Sequence, residues 1–380
     1  MEERKMILKM LDEGRITTSE AVELLKAIGE NTDSLKVNNS SETQEEPDSQ
    51  QASHTSHAQS KTEENAKQAN QEQNTTGKKS ESTISRFSSL IDRVVTKLKD
   101  SDFDFNFGQS IEVDHVFQEN DVDINRVKVH ITNGGIKLHP WEEQSVRVEC
   151  RASVFRTQTV EDAKSYFMKN VHFALESGEL QMMVDENRMK VQAHMYIPTK
   201  LYEEVQLRTS NGAISLNDIQ TEAMTVRTSN GAVSLDRVEG KTLHVSTSNG
   251  KIKLENSDWK KVELETLNGA IRMNGRYERA EAETLNGSIM FVLDEAIPGN
   301  ASFKTVAGKI ELLVPETLRI DGNLKATIGS LNCYLDKVKM NKESKDVVQK
   351  EMEFISNEEA ATTFKIEAEA KTGSISIAKR

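Results

Sequence analysis

The stretch Val205-Gln-Leu-Arg-Thr-Ser-Asn-Gly-Ala-Ile-Ser-Leu216 decides the fold, because the chain repeats it. It returns as Thr225-Val-Arg-Thr-Ser-Asn-Gly-Ala-Val-Ser-Leu235 and as Val245-Ser-Thr-Ser-Asn-Gly-Lys-Ile-Lys-Leu254. Leu264-Glu-Thr-Leu-Asn-Gly-Ala-Ile-Arg-Met273 and Ala282-Glu-Thr-Leu-Asn-Gly-Ser-Ile-Met-Phe291 follow. The turn asparagines Asn211, Asn230, Asn249, Asn268 and Asn286 are 19, 19, 19 and 18 residues apart, each followed by a glycine: Gly212, Gly231, Gly250, Gly269 and Gly287. Apolar and polar residues alternate on both sides of each pair, the pattern of a half-buried strand. In the first copy Val205, Leu207, Ile214 and Leu216 are predicted to face inward. Asn-Gly supplies positive φ at low cost, which predicts a turn there each time. Degenerate copies fall at Asn133-Gly134, Ala307-Gly308, Ile328-Gly329 and Thr372-Gly373.

Two architectures share this signal. Asn-Gly between alternating strands is a hairpin cue and would give an antiparallel meander. Alternatively each unit is one coil of a β-solenoid, its strands stacked in parallel about 4.8 Å apart. Only the solenoid requires equal repeat lengths, because each residue lies above its equivalent in the next coil. Stacked asparagines can also hydrogen-bond as a ladder. The constant spacing decides for the solenoid. The predicted fold class is mainly β, a parallel-β-helix-like solenoid of roughly 19-residue repeats spanning 101–380, preceded by a helical hairpin and a disordered linker.

Between 120 and 200 the pattern is less regular. Val146-Arg-Val148 and Val191 to Ile197 read as strands that the same sheet absorbs, and Val160 to Asn170 reads as a short helix. Phe103, Phe105 and Phe107 recur at period two, as in a first strand. Over 84–100, Ile84, Phe87, Ile91, Val94 and Leu98 form one helical stripe flanked by Arg86, Arg93, Lys97 and Lys99. Phe87, Ile91, Arg93, Val94 and Lys97 are the candidate contacts of a basic amphipathic helix. It either caps the open end of the repeat domain or meets an anionic membrane or a partner. Residues 31–83 are polar, almost without large apolar side chains, and are predicted to be a disordered tether; His54 and His57 lie in it.

Residues 1–30 read as a helical hairpin. Ile7, Leu8 and Leu11 make an apolar face that stops at Gly14. Thr17-Thr-Ser-Glu20 has capping-box spacing, and Ala21, Leu24, Leu25 and Ile28 form the second buried face. Two helices this short bury too little to stand alone, which predicts self-association or docking.

The 380 residues are 36% apolar with a mean hydropathy of −0.59, low for one compact globule. A net charge of −12 argues against nucleic acid, whose phosphates need a basic face. Two cysteines, Cys150 and Cys333, have no metal-type spacing and suit a reducing compartment. With no apolar h-region near Met1 and no run of about 18 apolar residues, the expectation is a cytoplasmic or peripheral membrane location, with the cell surface reached only by a route lacking a visible signal.

No catalytic set emerges. His115, His130, His139, His172, His194 and His244 form no close pair in sequence, and phosphate-loop, nucleophile-elbow and zinc-protease motifs are missing. No cofactor is called for. In the solenoid register two outward columns run Arg208, Arg227, Ser246, Glu265, Glu283 and Gln206, Thr225, His244, Glu263, Glu281. Glu263, Glu265, Glu281 and Glu283 would cluster on adjacent coils, a candidate for a hard cation set against a plain solvated acidic face. The Thr/Ser/Asn column could present a polar ladder to glycans or peptides, or serve the turns alone.

The Asn-Gly repeats resemble the bacterial "putative adhesin" β-strand-repeat family. The hairpin segment Leu11-Asp-Glu-Gly-Arg-Ile-Thr-Thr-Ser-Glu-Ala-Val-Glu-Leu-Leu25, the polar linker, the amphipathic helix and Phe103-Asp-Phe-Asn-Phe-Gly108 together resemble the YvlB/LiaX-type proteins of Gram-positive bacteria. The resemblance covers nearly the full chain. It implies a non-enzymatic role in the cell-envelope stress response, with membrane-associated regulators or surface-active peptides as partners, and it carries over no catalytic residue. A surface adhesin or glycan-binding protein is the second reading. A polysaccharide-acting enzyme is the third, and it lacks an identifiable acid/base pair.

Overall fold

A computed structural model describes residues 109–345 and 349–380. The hairpin expected over 1–30, the tether over 31–83, the helix over 84–100 and the Phe103–Phe107 segment lie outside the described residues.

The Asn-Gly repeats stack as coils with two faces. Leu201–Asn211, Gln220–Arg227 and Glu239–Asn249 pair in parallel, one after another. The rear halves of Ile252–Asn268 and Ile271–Asn286 continue this first face, followed by Gly299–Ala307. Past the corner, Ile214–Asn217 and Val233–Asp236 begin the second face. The front halves of the two long strands extend it, then Ile289–Leu293 and Ile310–Val314. The repeats are thus solenoid coils, because a meander would have paired them antiparallel.

Period-two alternation puts one side of every strand inside. Val205, Leu207, Ile214 and Leu216 are all buried, as are their equivalents Val226, Val245, Leu264 and Val233, Ile252, Ile271, Ile289. Each side chain rests on its own equivalent one coil away, so the core is a continuous column between the faces. Where the column narrows to Ala280 and Ala282, Phe291 and Phe303 fill the space, their ring centroids 4.8 Å apart. Small and large residues trade volume there to keep the interior close-packed.

At both ends the stacking order departs from the chain order. Arg126–Asn133 lies between Glu179–Val184 and Leu201–Asn211, and Ile136–Trp141 between Met189–Pro198 and Ile214–Asn217. At the other end Thr363–Thr372 sits between Gly299–Ala307 and Arg319–Ile328. Likewise Ile375–Lys379 sits between Ile310–Val314 and Leu331–Tyr334. The degenerate corners therefore succeed one another in space as Ala307, Thr372, Ile328.

Antiparallel strands close both ends. Ser110–Asn120 pairs with Ser145–Phe155, which pairs with Met189–Pro198, and His172–Glu176 pairs with Glu179–Val184. The strands read at 146–148 and 191–197 are thus present but run against each other. The helix Val160–Asn170, capped by Thr159 Oγ1 accepting from Asp162 N at 3.1 Å, packs against this end. Its Phe167 stacks on Phe117, which stacks on Phe173. At the far end Lys350–Ser356 and Val338–Lys345 turn antiparallel. Reversed strands stop a parallel stack from recruiting another coil.

Candidate functional site

The repeated corner carries three stacked columns. In the asparagine column each Nδ2 donates to the Oδ1 one coil back: Asn211 to Asn133 and Asn230 to Asn211 at 2.8 Å, then Asn249, Asn268 and Asn286 at 2.8–2.9 Å. The early copy at Asn133 is thereby part of the ladder. Two residues earlier in each repeat, the buried hydroxyls of Thr209, Thr228, Thr247, Thr266, Thr284 and Thr305 donate to the glycine carbonyl of the preceding coil at 2.9–3.2 Å. The threonine is therefore turn chemistry, and its hydroxyl is spent inside the fold.

The glycine column corrects one expectation. Gly212, Gly231, Gly250, Gly269 and Gly287 are not among the positive-φ residues. A Cβ on Gly250 would lie 1.9 Å from the Gly231 carbonyl oxygen. Close approach of consecutive coils, not backbone handedness, is what demands glycine at these five, whereas Gly134, Gly308, Gly329 and Gly373 of the degenerate copies do have positive φ, between 131° and 157°. Thr266→Val would leave the Gly250 carbonyl without its buried donor, at an expected cost of about 1–3 kcal/mol. Urea unfolding measures this directly, and an unmoved midpoint would show the hydroxyl to be dispensable.

The return corner does need positive φ: Asp218 (59°), Arg237 (51°) and Asn256 (50°) occupy it in successive coils. Asn256 Nδ2 donates to Asp236 Oδ1 at 2.8 Å, and Asn274 Nδ2 to Asp294 Oδ1 at 3.0 Å. Arg237 grips the carboxylate of Asp218 through two nitrogens, Nη2 to Oδ2 at 2.9 Å. That grip, aided by Asn217, holds the Asp218 carboxyl down at about 2 against an ordinary 3.8. The depressed value stabilises the fold above pH 4, and the contribution drains away as pH falls through 4 towards 2. Asp218 is 43% exposed, so it amounts to at most about 1 kcal/mol. Acid unfolding of Asp218→Asn alongside the parent should show a gap at pH 6 that closes by pH 2; a constant gap would contradict the ion-pair origin.

The register places Glu263 beside Glu281 and Glu265 beside Glu283, as the outward columns require. Cations thread between them. Glu263 meets Lys261 Nζ at 2.6 Å and His244 Nδ1 at 3.5 Å, and Lys261 holds its carboxyl below the usual range. Glu281 meets Arg279 at 2.6 Å, and Glu283 meets Lys304 at 2.9 Å. Among the described residues no group of three or more His, Cys, Asp or Glu side chains is placed to hold a metal ion.

Burial pushes the Cys150 thiol up to about 12 and raises that of Cys333, which leaves neither poised as a nucleophile. Two histidines distant in sequence do come together. Lys137 lies opposite His194 and His139 opposite Tyr196 on adjoining strands, so His139 and His194 share the outer second face. Only the pairing of Ile136–Trp141 with Met189–Pro198 creates that neighbourhood, and no local pattern announces it.

The two-faced coils, the corner ladders and the glycine contacts define a β-solenoid of stacked slices. Residues 170–378 match the family model described as Toastrack DUF4097, and residues 2–33 one described as a SHOCT-like domain. The chain belongs to the Toastrack DUF4097 family. It is similar along its length to a protein of Bacillus subtilis (strain 168) called "Uncharacterized protein YvlB", with 35% identity over 379 residues, 99% of this chain and 98% of that one. Solved structures that resemble it include proteins called putative adhesins from Bacteroides fragilis and Parabacteroides distasonis. Each is 12% identical and matches 70% of this chain and 97% of its own, with TM-scores of 0.42 and 0.43. No helix of the described residues is long and apolar enough to cross a membrane.

Proposed function

We propose that the protein is a non-enzymatic recognition scaffold of the cell-envelope stress response, presenting the outer faces of a rigid solenoid to a partner. The observation that supports this reading is how the polar groups of the repeats are used. Threonine hydroxyls are committed to carbonyls, asparagines to one another, and outward carboxylates to lysine and arginine. Such a surface is stiff, flat and charge-patterned, which suits docking of a partner more than proton transfer. The partners it suits are membrane-associated regulators or surface-active peptides, and residues 1–30 supply the self-association contact that their two apolar faces call for. Attachment is peripheral, inside or outside the membrane. Fractionating cells that make the protein, and protease-shaving intact ones, tests this with antibodies to each end. Recovery with the envelope fraction supports the scaffold, and a wholly soluble protein unchanged by envelope stress overturns it.

A further inference from the structure

One part of the outer second face differs in chemistry from the repeats. On Ile136–Trp141 the outward side chains are Lys137, His139 and Trp141; on Met189–Pro198 they are Lys190, Gln192, His194 and Tyr196. Ser145–Phe155 adds Arg147, Glu149 and Arg151, with Arg147 opposite Tyr196 and Glu149 opposite His194. The rings form a tilted row: Trp141 to Tyr196 at 5.4 Å between centroids, and Tyr196 to His139 at 5.9 Å. A groove of about 700 Å³ adjoins them, lined among others by Asp114, Lys137, Glu149, Arg151, Gln192 and His194.

Core packing accounts for these rings only in part: Trp141 Nε1 donates to the Ser145 carbonyl at 2.7 Å and so ties the turn after its strand, but the ring faces do not enter the core. Their inward neighbours Ile136, Leu138, Val191, Ala193 and Met195 already fill the core completely. The rings lie on the solvent side, half-buried against one another, with an apolar body and a polar tip of the kind enriched at binding surfaces. The polar groups beside them are arranged as donor–acceptor couples: Arg147 Nε to Glu149 at 2.9 Å and Arg151 Nε to Asp114 at 3.1 Å. Flat apolar rings next to paired donors and acceptors match a pyranose, which offers a C–H face and a rim of hydroxyls that both give and take hydrogen bonds. From Ile136 to Trp141 the strand runs about 17 Å, enough for about three sugar rings in a row. Lys137 is exposed and has no ion pair among the described residues, so the groove holds a spare positive charge.

We propose that this groove and ring row, centred on Lys137, Glu149, His194, Tyr196, His139 and Trp141, bind an acidic saccharide chain. The proposal deepens the recognition reading by naming a ligand class for one face, and it can fail while the envelope location stands.

The full chain carries its own reporter. Of its two tryptophans, Trp259 is 1% exposed, so a ligand-induced change in emission reports on Trp141. Titration with a hexamer of galacturonic acid is expected to shift that emission saturably, with cellohexaose at least tenfold weaker. Tyr196→Ala and Lys137→Glu should each weaken the acidic hexamer at least tenfold, while Lys251→Glu, at the Asn-Gly corner three coils away from the rings, leaves it unchanged. Lys137→Glu alters only an exposed side chain, so it stands even if Tyr196→Ala lowers the melting temperature. Failure of both hexamers to shift the emission overturns the proposal. So does equal binding of the two sugars, insensitivity to both variants, or an equal loss in Lys251→Glu.

Discussion

Gly250→Ala should unfold the central coils, the largest effect we expect from a single methyl group in this protein. The added Cβ would sit 1.9 Å from the Gly231 carbonyl oxygen and 2.5 Å from its carbon. Both are backbone atoms fixed by the parallel ladder, so no side chain can swing aside. To admit the methyl, two coils must separate along the stacking axis. That would stretch the Asn249–Asn230 bond and the ladder bonds on either side. Overpacking a rigid site costs about 1–3 kcal/mol and more where nothing relaxes; here about 3 kcal/mol or more is expected. Because each coil touches only its neighbours, the damage should split the melt and concentrate hydrogen exchange around 228–268. Lys251→Ala, one residue on and exposed, is the control. A Gly250→Ala protein with the parent's melt would show that the coils are not in the contact described.

Ile252→Asp should do comparable harm by a different route. Ile252 is 1% exposed and lies in register between Val233 and Ile271. No cation faces inward at that level of the column, so a carboxylate there would be desolvated and unpaired. The cost is several kcal/mol whether the group stays charged or takes up a proton. Circular dichroism should show the loss of β-structure beginning at lower temperature, and less so at acid pH, where the group is neutral. An unchanged melt would refute the inward assignment of the whole isoleucine–valine column.

These variants also mark what could be read from the sequence. The period of the Asn-Gly repeats and the alternation around them named the inward residues, the corner and the register of the acidic columns. They did so because in a parallel stack each residue's neighbour is its own equivalent, so local pattern and tertiary contact coincide. The reason for the glycine was not legible. A turn that needs positive φ and a backbone that needs room both select glycine, and only the Gly231–Gly250 approach separates them. The threonine signal was present at Thr209, Thr228, Thr247, Thr266 and Thr284, but the sequence does not say that the hydroxyl points to another coil's carbonyl. Where pairing is non-local the sequence is silent. Nothing in Ile136–Trp141 or Met189–Pro198 tells that they adjoin, so the ring row of Trp141, Tyr196 and His139 was invisible. The placement of Thr363–Thr372 ahead of Arg319–Ile328 was equally so.

That last placement decides how the molecule can be built and shortened. The final segment of the chain does not lengthen the stack; it enters a slot bordered on one side by Gly299–Ala307 and on the other by Arg319–Ile328. During synthesis the strands at 319–328 and 331–334 emerge before their parallel neighbours exist; the first can pair meanwhile with Lys350–Ser356, while the second must wait for Ile375–Lys379. The segment 363–379 is thus a keystone: losing it would remove an interior course, not the roof, and strand everything beyond it.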